Sequence, residues 1–147
     1  MSRIISFRGK LGDGSQETIN LHSITGTIGY RIKKLQLIGS APGVETVEAI
    51  VKVYKTKQTV VDGLIDLSDN TLLGAAFYVS SQTEEWSTHN ILVFDNEIFN
   101  QDIYVTHFDA SVGQAVNYYI ELESLKLDTN ETVMATLKDM RSTATLS

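Results

Sequence analysis

Alternation of apolar and polar residues with a period of two is the feature that most constrains the fold of this chain. Between Glu45 and Tyr54 one parity is apolar, at Val47, Ala49, Val51 and Val53. The other parity carries Thr46, Glu48, Lys52 and Tyr54. Residues 116–123 repeat the pattern with Val116, Tyr118, Ile120 and Leu122 on one side. Successive side chains of a strand point to opposite faces, so both segments are predicted to be strands of an antiparallel sheet with one solvated face.

Further strand patterns follow one another at intervals of roughly 8 to 14 residues, separated by turn signals. They cover Arg3–Arg8, Glu17–His22, Thr27–Ile38, Thr59–Leu67, Ala75–Ser80, Thr88–Phe94 and Asp102–Phe108. This spacing predicts a mainly β fold, an antiparallel, jelly-roll-like β-sandwich of about 8 to 9 strands. In the third segment the apolar parity changes between Ile32 and Leu35, at Lys33-Lys34, which predicts a β-bulge or a strand bend there.

Residues 128–141 depart from this pattern and have the spacing of a helix. The apolar residues recur at Val133, Met134, Leu137 and Met140. Asp128 followed by Glu131 resembles a capping box, so we predict one short C-terminal helix. Its apolar stripe is expected to pack on the sheet or on a neighbouring subunit. No linker or repeat divides the sequence, and residues 1–147 are expected to form a single domain.

The composition of the chain excludes several classes of function. With 12 Lys and Arg against 18 Asp and Glu, the formal net charge is −6, which argues against a nucleic-acid partner. Cysteine is absent, so disulfides, thiolate zinc sites, iron–sulfur clusters and a cysteine nucleophile are excluded. No run approaches the roughly 18 apolar residues of a membrane span, so no membrane partner is expected.

Two groups of polar residues have the chemistry of metal ligands. His107 and Asp109 would share a face of one strand, with His89 and Asp95 upstream, but ordinary polar or interface histidines explain the spacing better. Asp62–Asn70 supplies carboxylates of the type that bind calcium, although it lacks the EF-hand pattern and a turn with Asx caps explains it as well. We predict no metal and no cofactor.

Catalytic motifs are missing from the sequence. It contains no Gly-x-Ser-x-Gly elbow and no glycine-rich phosphate loop, so no catalytic residue is assigned and the protein is not expected to be an enzyme. Aromatic residues suit surface recognition better. Trp86 or Tyr54 could stack on a sugar ring, while the alternative for Trp86 is a place at one end of the core.

The C-terminal third has an order of segments that resembles a known family. The segments are Phe99-Asn-Gln-Asp-Ile-Tyr-Val-Thr-His-Phe-Asp, the small-residue loop Ala110–Ala115, the strand Val116-Asn-Tyr-Tyr-Ile-Glu-Leu-Glu and the closing Ala135-Thr-Leu-Lys-Asp-Met-Arg. This order is similar to a hairpin followed by a terminal helix in small structural proteins of marine tailed bacteriophages. The resemblance covers about the last 50 residues and does not extend to the first 95. It implies a virion component.

From these observations we predict a capsid decoration, or cement, protein that binds the major capsid protein on the virion surface as a homo-oligomer, in the form of a trimer. Subunit packing is assigned to Val133, Met134, Leu137 and Met140, and contacts from the predicted hairpin to Tyr104, Phe108 and Tyr119. The negative charge suits the outer capsid surface, away from DNA. The alternatives are a tail, neck or fibre component and a carbohydrate-binding β-sandwich module.

Overall fold

The computed structural model describes residues 3–23, 26–42, 44, 46–80, 88–128 and 136, with the backbone alone at 88 and 89. Eight strands are found in these ranges. They are β1 (Arg3–Leu11), β2 (Gln16–Ile19), β3 (Ile28–Gly39), β4 (Val47–Tyr54), β5 (Leu72–Ser80), β6 (Thr88–Val93), β7 (Ile103–Asp109) and β8 (Val116–Lys126). The prediction of a mainly β chain is confirmed.

The strands form two antiparallel sheets. The first has three strands in the order β1-β8-β3, and the second has five in the order β2-β7-β4-β5-β6. Strands β1 to β4 therefore alternate between the sheets, while β4, β5 and β6 follow one another within the second. This alternation makes each of the first three connections cross from one sheet to the other.

One hydrophobic core joins the inner faces of the two sheets. The first sheet contributes Ile32, Leu35, Val116, Ile120 and Leu122, and the second contributes Val51, Val53, Leu73, Ile103 and Val105. Among them, Val51 and Val53 of β4 and Val116, Ile120 and Leu122 of β8 lie on the apolar parities that the alternation predicted. Branched aliphatic side chains pack well on a pleated surface, and burying each one stabilises the fold by about 1.5–3 kcal/mol.

The bulge in β3 is confirmed. Pairing between β3 and β8 shifts its register between Ile32 and Lys34, which leaves Lys33 as the extra residue. The inserted residue lets Ile32 and Leu35 both face the core although their parities differ.

The segment predicted as a strand at Thr59–Leu67 is not one. Residues 55–71 connect β4 to β5 and lie over the outer face of the second sheet; we call them the covering loop. Gly63 of this loop lies against the side chains of Ile50 and Phe108. The loop changes the environment of β4, because Lys52 and Tyr54, predicted to face solvent, are only 3% and 7% exposed.

The predicted hairpin of the C-terminal third is also wrong. Strand β7 pairs with β2 and β4 in the second sheet, whereas β8 pairs with β1 and β3 in the first. The connection 110–115 therefore passes between sheets. Strand β2 is shorter than predicted because the N–H groups of Leu21 and His22 donate to Asp102 Oδ1 instead of to a neighbouring strand.

The predicted helix at 128–141 lies outside the described residues, apart from Asp128 and Thr136, and so do its four apolar stripe residues. At Thr136 the hydroxyl accepts a hydrogen bond of 2.9 Å from Nδ2 of the buried Asn100. That point of the chain therefore lies against the connection between β6 and β7. In the described ranges, no helix has the length and apolar character needed to cross a membrane.

Candidate functional site

The outer face of the three-stranded sheet is open, and its side chains form cross-strand rows. We call it the open sheet face. Tyr119 of β8 lies between Arg8 of β1 and Gln36 of β3, and Asn117 lies between Lys10 and Ile38 in the next row. A hollow of about 460 Å³ is lined by Arg8, Gln36, Ile38, Asn117 and Tyr119, together with Gly9 and Tyr118. This volume is within the usual range of small-ligand sites.

The acidic groups on the open sheet face are already bonded. Glu123 pairs with Arg31 at 2.5 Å, and the Tyr119 hydroxyl donates to Glu121 Oε2 at 2.6 Å. The bond to Glu121 raises the pKa of Tyr119 and fixes the direction of its ring. Within the described part of the chain, the side chains of Arg8 and Gln36 have no hydrogen-bond partner. The free charge beside the ring is therefore positive.

A second hollow lies on the outer face of the five-stranded sheet, between the covering loop and the edge strand β6. Its volume is about 440 Å³, and it is lined by Ile65, Leu67, Ala75, Ala76, Phe77, Asn90, Ile91 and Leu92. We call it the apolar groove. Three of its apolar side chains are exposed to solvent by roughly half: Ile65 at 44%, Leu67 at 57% and Leu92 at 43%. Exposed apolar residues that share one concave surface are typical of a contact site.

Asp109, a predicted metal-ligand candidate, binds the backbone of its own chain. Its Oδ1 accepts from Glu48 N at 3.0 Å, Ser111 N at 2.9 Å and Ser111 Oγ at 2.7 Å, and its Oδ2 accepts from Gln114 N at 2.5 Å. Burial opposes ionisation, but these donors outweigh it and lower the pKa of Asp109 from 3.8 to about 2. The carboxylate thus holds the connection between β7 and β8.

His107 is fully buried and holds the same connection. Its Nε2 lies 2.8 Å from the carbonyl oxygen of Gln114. A carbonyl only accepts, so Nε2 donates this bond, and Nδ1 has no hydrogen-bond partner among the described residues. Asp95 is exposed, the side chain of His89 lies outside the description, and the described ranges contain no group of three or more His, Cys, Asp or Glu that could hold a metal.

The acidic segment 62–70 forms separate turns. Asp66 Oδ1 accepts from the N–H and hydroxyl of Ser68, and Asp69 Oδ1 accepts from those of Thr71. Asp62 Oδ1 accepts from Leu64 N and from Lys52 Nζ, and the Lys52 bond lowers the pKa of Asp62. The turn interpretation with Asx caps therefore describes these residues.

The predicted contact residues do not share one surface. Tyr104 and Phe108 belong to the outer face of the five-stranded sheet, where the covering loop lies on Phe108, while Tyr119 is on the open sheet face of the other sheet. Tyr54 cannot act as a sugar platform because it is buried, with Lys52 Nζ 5.5 Å from its ring centre. Trp86 lies outside the described residues.

Sequence reasoning missed Arg8, Gln36, Ile65 and Leu92. For the first two the useful signal was the period of two, which puts Arg8 on the solvent parity of β1, although the row with Tyr119 needs the register between strands. The recurring Asp-x-Ser/Thr spacing was a signal for the turns at Asp66, Asp69 and Asp109. No local sequence pattern indicates that Ile65 and Leu92 line the same groove.

Gly9 permits close packing beside the open sheet face. A methyl group there would come within 2.8 Å of Tyr118 Cε1 and 3.1 Å of Glu17 Oε2. Tyr118 donates to Glu17 Oε1 at 2.8 Å, and burial together with this bond raises the pKa of Tyr118. We expect Gly9→Ala to lower the free energy of unfolding by about 1–3 kcal/mol through overpacking, measured by urea denaturation.

The matched control for this prediction is Gly12→Ala. A methyl group at Gly12 meets only Ser15 Oγ, at 3.4 Å, which is close to an ordinary contact. Its unfolding midpoint should stay nearer that of the unsubstituted chain. Equal midpoints for the two variants would contradict the packing argument.

No protein-family model matches this chain, and no curated protein matches it either.

Proposed function

We propose that the protein is a structural component of a bacteriophage virion, a decoration protein that binds the major capsid protein shell as a homotrimer. The observation that carries this proposal is the apolar groove. Burial of Ile65, Leu67 and Leu92 against a second copy of this chain would remove exposed apolar area from water, at about 25 cal/mol per Å². Repeated over many copies on a particle, a modest contact energy becomes large.

The strand order supports a jelly-roll interpretation of the fold. A jelly roll is a long hairpin rolled up on itself, with the first strand paired to the eighth, the second to the seventh and the fourth to the fifth. The pairs β1–β8, β2–β7 and β4–β5 have this relation. Instead of pairing with β3, β6 pairs with β5. Viral capsid and lectin domains use this architecture, so it agrees with the proposal without identifying a function.

Charge and the phage resemblance support the same proposal. A net charge of −6 suits a position on the outer capsid surface, where packaged DNA does not attract a basic face. The order of segments in the last third resembles phage structural proteins in sequence, although β7 and β8 do not form the hairpin that this resemblance implied. A tail, neck or fibre component would use the same contact chemistry, so the alternatives differ in their neighbours.

The test of the proposal is the oligomeric state, measured by size-exclusion chromatography with light scattering. We expect a mass near three times 16.3 kDa, and dissociation to monomers when Leu67→Asp and Leu92→Asp place charges in the apolar groove. The control variants Val60→Asp and Val112→Asp change residues that are 70% and 69% exposed outside the groove, and they should remain trimeric.

Two outcomes oppose the proposal. A monomer at every concentration would contradict the proposed trimer. Equal dissociation of the control variants and the groove variants would contradict the proposal that the apolar groove is the trimer contact. Antibody labelling of virions that carry the protein then separates the alternatives. Label over the head is the expected result, whereas label over the tail favours a tail, neck or fibre component.

A further inference from the structure

We propose that the open sheet face binds an acidic saccharide, with a sugar ring stacked on Tyr119 and a uronic-acid carboxylate paired with Arg8. This inference does not depend on the virion proposal, because the apolar groove and the open sheet face lie on different sheets.

The row Arg8–Tyr119–Gln36 has the dimensions of a sugar subsite. Neighbouring strands are about 4.8 Å apart, so Arg8 and Gln36 stand on backbones about 10 Å apart with the tyrosine ring between them. Aromatic rings present an apolar face to the C–H groups of a pyranose, while amides and guanidinium groups bond its hydroxyls. The hydrogen bond from Tyr119 to Glu121 holds the ring in place before a ligand arrives.

Charge selects an acidic sugar over a neutral one. The carboxylates of the neighbouring rows are bonded, Glu121 to Tyr119 and Glu123 to Arg31. In the described ranges Arg8 has no such partner, and Lys10 follows in the next row. A guanidinium binds a carboxylate through two parallel hydrogen bonds, the strongest polar contact this face can offer.

The polar groups beside the ring can satisfy the sugar hydroxyls. Gln36 keeps both its amide donors and its acceptor free within the described part of the chain. Asn117 makes one long contact, from Nδ2 to Gly39 O at 3.4 Å, and its Oδ1 remains an acceptor. Ile38 closes the hollow with an apolar wall. The arrangement thus combines one charged contact, one stacking surface and two amides.

The experiment is isothermal titration of the full chain with three probes: trigalacturonate, trimannuronate and a hyaluronan tetrasaccharide. The matched neutral probe is the methyl ester of trigalacturonate. We expect saturable binding of at least one acidic probe and at least about tenfold weaker binding of the ester, since a charged hydrogen bond contributes enough for such a factor.

Variants separate the roles of the residues. Tyr119→Ala should abolish binding, Tyr119→Phe should retain it, and Arg8→Gln should weaken the acidic probe at least about tenfold while leaving the ester unchanged. Arg3→Gln removes the same charge from the same strand outside the row and is the control, with unchanged affinity expected.

Three results would overturn the proposal. The first is no saturable binding of any acidic probe. The second is equal weakening of binding by Arg8→Gln and Arg3→Gln. The third is that Tyr119→Ala still binds the acidic probe and that sodium chloride abolishes this binding and that of the unsubstituted chain equally. The last result would mean a diffuse anion effect. Because Leu92→Asp should leave saccharide binding intact, failure of the trimer proposal and failure of this one are distinguishable.

Discussion

Replacing Asp109 by alanine is expected to lower the free energy of unfolding by about 3 kcal/mol, the largest effect predicted for a single polar residue of this protein. The carboxylate accepts bonds from three backbone N–H groups and one hydroxyl. Alanine leaves these donors unpaired at a buried site, where each lost partner is costly. Urea denaturation followed by circular dichroism measures the change.

The control for this prediction is Asp66→Ala. Asp66 bonds the N–H and hydroxyl of Ser68 in the same Asp-x-Ser geometry, but it lies in the exposed covering loop. Water can solvate its donors, so the loss should be much smaller than that of Asp109→Ala. Equal losses for Asp66→Ala and Asp109→Ala would contradict the importance of burial.

Acid titration tests how much the ionised carboxylate of Asp109 contributes to the stability of the fold. The folded pKa of Asp109, about 2, is below the ordinary value of 3.8, so its contribution is complete above about pH 4 and is lost as the pH falls through 2. The variant Asp109→Asn removes this titration. We expect its stability to fall less steeply than that of the unsubstituted chain between pH 4 and pH 2, and parallel curves would rule out this role.

The sequence predicted the inner faces of the sheets better than the outer ones. Alternation in β4 and β8 identified the core residues, and the parity change at Lys33 identified the bulge. These signals are local, since each depends on neighbours a few residues away. The burial of Lys52 was not predictable in this way, because the segment that buries it, Thr59–Leu67, was itself predicted as a strand and instead packs on β4 as part of the covering loop.

The pairing between strands was the second feature that the sequence did not predict correctly. The segments of β7 and β8 look like a hairpin because a short loop joins them, yet Asp109 and His107 fix that loop in a crossing between sheets. The two candidate sites were missed for the same reason, because each is formed by residues that are distant in sequence. Arg8 lies beside Tyr119 on strands that are distant in sequence, and Ile65 and Leu92 line one groove from a loop and an edge strand. Such contacts follow from register and topology, which a period of two does not specify.

Lys52 is one of the residues that hold the covering loop in place, together with Gln16, and its replacement by alanine should have the second largest effect. Its side chain is 3% exposed, and Nζ donates to Asp62 Oδ1 at 2.9 Å and to Leu64 O at 2.5 Å. Alanine removes these bonds and the packing of the long aliphatic stem, for an expected loss of about 2–3 kcal/mol in unfolding free energy. Asp62→Asn should cost less than about 1 kcal/mol, because Asp62 is half-exposed.

Lys52→Met separates packing from anchoring, since it keeps the stem and removes the charge. If Lys52 anchors the loop, the amides of Leu64 and Thr71 should exchange hydrogen faster in Lys52→Met than in the unsubstituted chain, while those of β8 should not change. The exposed Lys57→Ala is the control. Unchanged exchange at the loop would contradict the anchor. Because Ile65 and Leu67 line the apolar groove, a released loop should also weaken the trimer, which links this buried ammonium to the proposed assembly surface.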